Sequence, residues 1–184
     1  MESQENLFLV HSFPTNSILL DGLIRYLGNF FTVYPIDLPG FVRGNWDKLP
    51  EEITLQEFYE HVEMEMEETI ARKKLQHYLV AGISVGFQIV TNVPHDDRCK
   101  GIIAMEPYLG VRSVKKSRVS KLLAAVLVKA ICVSGLSQAI WNSRLFKAFL
   151  SRGSPPDRIR TVVEQINARA FFGTLNALLD LSLI

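Results

Sequence analysis

Apolar positions along this chain recur with two periods, and the period changes at residues that break backbone structure. Leu7-Phe-Leu-Val10 is a short continuous apolar run that stops at His-Ser-Phe-Pro-Thr-Asn, which predicts a buried strand followed by a loop. Ile18, Leu19, Gly22, Leu23, Tyr26 and Leu27 then fall at helical spacing, with Thr15, Asn16 or Ser17 open as the N-cap and Gly28-Asn29 as the stop. Phe30 to Ile36 returns to β-branched and aromatic residues and breaks at Asp37-Leu-Pro-Gly40, so a second strand enters a turn.

Thr54 with Glu57 forms a capping-box pattern ahead of Leu55, Phe58, Tyr59, Val62, Met66 and Ile70, which share one face of a long helix. Its other face carries Glu60, Glu63, Glu65, Glu67 and Glu68 and ends in Arg72-Lys-Lys74, matching the helix dipole in sign. His77 to Ala81 predicts a third strand, Val85 to Val93 a helix, and Cys99 to Met105 a fourth strand after the loop at Pro94-His-Asp-Asp97. Strands alternating with helices predict an α/β fold with a parallel sheet and helices on both faces. Past Gly110 the strands stop. Ser117–Gly135, Leu136–Leu150 and Asp157–Leu183 predict helices, separated by Gly135 and by Gly153-Ser-Pro-Pro156. The expected organisation is an α/β part over 1–112 and an all-helical part over 113–184.

Charge divides the chain at the same place. Residues 1–112 hold 9 Lys/Arg against 16 Asp/Glu, whereas residues 113–184 hold 11 against 3. A basic helical part can face nucleic acid, an anionic membrane or an acidic partner, or simply be solvated. No nucleic-acid motif, phosphate loop or zinc spacing is present, so neither nucleic acid nor a metal is expected. Leu122–Leu136 is apolar but shorter than a membrane span and carries Lys129, which leaves membrane-surface contact open through Leu122–Phe149. Cys99 and Cys132 offer no disulfide framework and are expected as small buried apolar residues. The amino terminus is acidic, without the basic start of a secretory signal, so the cytoplasm is the expected location.

Gly82-Ile-Ser-Val-Gly86 stands between the third strand and the following helix. By composition alone such a G-x-S-x-G pattern arises in roughly one chain in twenty of this size, but its position at a strand-helix junction is far more specific. A serine exposed on a sharp strand-to-helix turn needs very small residues two positions to either side, and the helix amino terminus favours a developing anion.

Three segments in order, His11-Ser-Phe-Pro14, Asp37-Leu-Pro-Gly40-Phe41 and Gly82-Ile-Ser-Val-Gly86, resemble those of the α/β-hydrolase fold family. The resemblance covers about residues 7 to 110, and the later helices resemble in position the cap that many members insert. It implies a partial α/β-hydrolase core followed by a helical cap or lid. It implies Ser84 as nucleophile, the backbone N–H groups of Phe13 and Val85 as oxyanion donors, and His11 and Ser12 as residues of the substrate-side loop. It implies no cofactor and a small-molecule ester or acyl substrate cleaved through an acyl-enzyme. Glu106, just past the fourth strand, stands where some members place the triad acid.

The departures are Ser12 for the usual loop glycine, Val42-Arg-Gly-Asn45 after the Asp-Leu-Pro-Gly-Phe turn, and Phe87 after the elbow. The family's acid and base follow strands beyond the cap, and here no histidine follows residue 95. His95 lies beyond a helix that would carry it about 13 Å from Ser84, at 1.5 Å per residue. His61 and His77 are expected at the surface. Ala177–Ile184 resembles the stretch before the next core strand, so a truncated member is expected. The alternative is a hydrolase-like module that binds without catalysis.

Overall fold

The computed structural model of the chain describes residues 4–50, 53–107, 118–150 and 156–180. It divides into two compact units, Met1–Leu38 with Gln56–Tyr108, and Pro39–Leu55 with Leu109–Ile184. The expected join at 112–113 and the expected helix limits Ser117 and Leu183 lie outside the described residues.

The first unit runs β1 (Glu5–Val10), α1 (Asp21–Leu27), β2 (Phe31–Ile36), α2 (Leu55–Lys73), β3 (Tyr78–Ile83), α3 (Val85–Asn92) and β4 (Cys99–Met105). Its strands are all parallel, in the order β2-β1-β3-β4. The chain therefore steps outward from β1 to β2, crosses back over β1 to β3, and continues to β4. Right-handed crossovers in opposite directions put their helices on opposite faces of the sheet. On one face Leu7, Leu9 and Ala81 are buried, with Ile24 and Leu27 of α1 and Phe31, Val33, Leu79, Ile83 and Met105 packed around them. Residues of the alternate register, Phe8, Val10, Tyr78 and Val80, are equally buried, and the Phe8 ring meets Tyr78 edge-on at 5.5 Å. The central strands β1 and β3 thus bury both faces, as a parallel sheet requires. β4 differs: it has one neighbour among the described strands, and Ile102 and Ile103 are 41% and 37% exposed.

The first helix is shorter than the periodicity predicts. The Asn16 side chain accepts the Leu19 N–H at 2.9 Å, and the Ser17 N–H and hydroxyl both go to Asp37, so residues 17–20 are held in turns and α1 starts at Asp21.

The second unit contains a 3-10 turn (Arg43–Lys48) and the helices α4 (Arg118–Val133), α5 (Ser137–Asn142), α6 (Arg144–Leu150), α7 (Pro156–Gln165) and α8 (Ala168–Asp180). Two expected helices are each split in two, and local polar side chains explain both breaks. Ser143 is extended, and its Oγ accepts the Phe146 N–H at 3.2 Å, which caps α6. Asn167 Oδ1 accepts the Arg169 N–H at 2.8 Å and starts α8, while its own N–H donates to the Gly40 carbonyl at 2.7 Å. Gly40 has φ +82°, and a Cβ there would lie 2.5 Å from that of Ala170, so this turn needs glycine. Trp141, Phe146, Phe171 and Phe172 form the unit's aromatic centre, with ring centroids of Trp141 and Phe171 5.1 Å apart.

Cys99 and Cys132 are half-buried free thiols rather than fully buried ones. His61 is a clear departure from expectation: it is buried on α2, where its Nε2–H donates to the Asp37 carbonyl at 3.1 Å. No described helix is long and apolar enough to cross a membrane.

Leu9 is in the middle of the sheet and 1% exposed. Leu9→Ala is expected to cost about 2–5 kcal/mol, seen as a lower urea midpoint at unchanged slope.

Candidate active site

Strand order reverses between β1 and β3, and in parallel α/β sheets the crevice beyond the carboxyl ends of two such strands is where ligands bind. Val10 pairs with Gly82 across this point. The loop that follows β1, His11 to Asn16, and the turn that follows β3, at Ser84, therefore emerge side by side.

Ser84 occupies that turn with φ +52° and ψ −112°, a conformation L-residues rarely adopt. Its N–H donates to the Met105 carbonyl at 2.9 Å, and its carbonyl accepts the Phe87 N–H at 3.1 Å, so the turn is tied both to β4 and to the first turn of α3. A Cβ on Gly82 would lie 2.3 Å from the Phe87 Cα, and one on Gly86 would lie 2.4 Å from the Val10 carbonyl oxygen and 2.6 Å from that of His11. The two glycines flanking Ser84 are thus required by backbone contact on both sides. Ser84 itself is half-exposed, at the amino terminus of α3, where the helix dipole favours negative charge.

The loop after β1 is held by its own polar groups. The His11 ring is 1% exposed; its Nδ1–H donates to the Ser12 carbonyl at 2.9 Å, and Nε2 accepts the Leu38 N–H at 3.0 Å. Ser12 Oγ bonds Thr15 Oγ1 at 2.9 Å, and the Ser12 carbonyl also accepts the Thr15 N–H and hydroxyl. Both residues anticipated on the substrate side spend these groups on shaping the loop that carries Phe13, which is half-exposed.

The roles of Asp37, Ser17 and His61 in this network are not readable from the sequence. Asp37 at the end of β2 receives the Ser17 N–H at 2.7 Å and the Ser17 hydroxyl at 2.5 Å, and its carbonyl receives His61. The available signal for His61 was its place three residues after Phe58 on the buried stripe of α2. Burial holds the His11 pKa below its ordinary value; Asp37, 3.9 Å from Nε2, opposes this less strongly. The acceptor role of Nε2 agrees with a neutral ring.

Glu106 follows β4 directly, one position past the Ile83–Met105 pair, and so is in register with Ser84. It has φ +46° and is exposed. His95 lies elsewhere, in a cleft of about 210 Å³ with Glu63, Glu67, Tyr78 and Arg98. Tyr78 begins β3, so this cleft is at the end of the sheet opposite Ser84. Burial and the neighbouring Asp96 push the Tyr78 hydroxyl up to about 12. His95 Nε2–H donates to the Val90 carbonyl at 2.7 Å, and His77 is exposed just before β3. No group of three or more potential metal ligands occurs among the described residues.

Similarity to solved structures decides the fold. A hydrolase from Pseudomonas aeruginosa PA01 superposes with TM-score 0.61 at 19% identity, over 100% of this chain and 67% of its own. The chain adopts the α/β-hydrolase fold. The esterase EaEST from Exiguobacterium antarcticum matches this α/β-hydrolase-fold chain with TM-score 0.65 at 14% identity, over 100% of it and 69% of the esterase. The bottromycin epimerase BotH matches with TM-score 0.57 at 18% identity, over 96% of this chain and 65% of its own. The chain thus spans about two thirds of the length of each. No family model and no curated protein matches it by sequence.

Gly86→Ala is expected to prevent native folding or to displace the Ser84 turn, because the obstacle is backbone, whereas Gly44→Ala, with open space around it, is expected to fold normally. Circular dichroism and thermal melting of the two variants check this. Because the folded pKa of His11 lies below its unfolded value near 6.5, the unfolded state binds the extra proton first. Its contribution is complete above about pH 6.5 and falls as the pH drops toward the folded pKa. Urea midpoints at pH 7.5 and pH 5.5 are expected to differ more for the native chain than for His11→Asn.

Proposed function

We propose that this chain carries the nucleophile half of a serine hydrolase site acting on a small carboxylic ester or acyl substrate. The observation that carries the proposal is the Ser84 turn: a positive φ at a non-glycine residue, glycines without room for a methyl on either side, and a helix amino terminus behind it. Such strain at a surface turn is costly, about 1–3 kcal/mol, and is kept where it serves a site.

Ser84 Oγ attacks the acyl carbon, and the N–H groups of Val85 and Phe13 hold the oxyanion as it forms. His11, Ser12, Thr15, Ser17 and Asp37 serve by fixing the loop that presents Phe13. The ester C–O bond breaks, the alcohol leaves with the proton that the Ser84 hydroxyl gave up, and water then cleaves the acyl-enzyme to the acid and restores the Ser84 hydroxyl. Glu106 is the carboxylate in register with Ser84 and takes the triad-acid role in this proposal. Two of the three relatives described above are hydrolases by name, which supports hydrolysis as the reaction class.

A second proposal rests on the histidines. His11, His61 and His95 are engaged with backbone groups, and His77 stands at the opposite end of β3 from Ser84. In this second proposal the same fold serves as a binding module that holds a ligand without cleaving it.

A fluorophosphonate probe separates the two. In the protein that also supplies the base half of the site, the hydrolase proposal expects one covalent adduct, placed on Ser84 by mass spectrometry and abolished in Ser84→Ala. If that folded protein takes no adduct, the binding module is favoured, and an adduct that persists in Ser84→Ala overturns the role given to Ser84.

A further inference from the structure

The helical unit exposes apolar surface that its own packing does not use. On α4, Ala125 and Val128 are buried, and Leu123, Val126, Leu127 and Val133 are 65%, 59%, 63% and 82% exposed. At about 100° per residue these four, with exposed Ala130 among them, lie on the side of the helix away from Ala125 and Val128. Leu136 at 53% and Leu145 at 85% extend the apolar exposure onto the following segment and α6. A helix apolar on both sides is one that something else covers.

Charge says what covers it. Residues 107–156 contain nine Lys/Arg and no Asp or Glu. Lys129, Arg144 and Lys147 are exposed on the elements that carry the apolar side chains. Beside the stripe, Lys129, Cys132 and Val133 of α4 line a cleft of about 310 Å³ together with Ser137 and Arg169, and no carboxylate is among its lining residues. Exposed aliphatic side chains flanked by cations, in a stretch without Asp or Glu, match an anionic lipid surface, whose headgroups meet the cations while its acyl boundary takes the leucines and valines. α4 has 16 residues, roughly 24 Å of helix against an apolar bilayer core near 30 Å, so it lies along the surface rather than across it.

We propose that the helical unit docks on an anionic membrane surface through the Leu123–Val126–Leu127–Val133 face of α4, with Lys129, Arg144 and Lys147 contacting lipid headgroups. The docking is independent of Ser84, so Ser84→Ala leaves it intact.

The test is co-sedimentation of the full chain with vesicles of phosphatidylcholine alone and of phosphatidylcholine with about 30% phosphatidylserine, at low and high salt. Expected is binding that requires phosphatidylserine and is released by salt. It should weaken roughly tenfold or more in Leu123→Ser/Leu127→Ser and in Lys129→Glu/Lys147→Glu, with circular dichroism unchanged. The second pair leaves the apolar stripe whole, so loss in both separates lipid docking from a folding defect. No pelleting with phosphatidylserine vesicles at low salt overturns the proposal. So does equal pelleting with either vesicle, or a concentration-dependent dimer that light scattering shows to be lost in Leu123→Ser/Leu127→Ser while lipid binding is absent.

Discussion

The amino terminus of α3 lies so close to the end of β1 that no side chain fits between them, and most of the first unit is arranged around that contact. Gly86 meets the carbonyl oxygens of Val10 and His11, and Gly82 meets the backbone of Phe87. With both gaps closed, the chain leaves β3 only through a residue at positive φ, and Ser84 takes that position. The strain is offset by burial of Val85, Ile89 and Val90, each worth about 1.5–3 kcal/mol as a core side chain. The same contact includes the His11 carbonyl, where the loop that carries the polar network around Asp37 begins. Ser17, His11 and His61 all converge on the end of β2.

How much of this is legible in the residues depends on how local its cause is. The strand-helix alternation through β4 is readable because parallel strands buried on both faces leave continuous apolar runs such as Leu7–Val10. The Ser84 turn is readable because its steric demand falls on two glycines close in sequence. The breaks at Ser143 and Asn167 are not, because a capping side chain competes with helix continuation only when the following N–H turns toward it, and periodicity runs straight through both positions. The burial of His61 is hidden for a related reason: on a helix dense in glutamates it reads as one more polar residue, and its partner, the carbonyl of Asp37, is distant in sequence. Glu106 was visible as a residue after a strand, but its register with Ser84 comes from the β3–β4 pairing.

The two units solve burial differently. The first covers β1 and β3 on both faces and leaves its polar groups to tie loops together. The second gathers four aromatic rings at the meeting of α5, α6 and α8 and turns Ala125 and Val128 of α4 inward, with a larger apolar face of that helix outward. Its surplus of positive charge lies in the same stretch, so hydropathy and electrostatics single out one region there.

β4 carries a different kind of consequence. It is bonded to β3 along one side, and it has no second neighbour among the described strands, beside the exposed Ile102 and Ile103. A parallel edge with exposed aliphatic side chains is a template for strand addition. Whatever polypeptide lies along it joins the sheet itself, so self-association through this edge would follow the law of mass action. The concentration at which the protein is handled then becomes a variable of its folding as well as of its solubility.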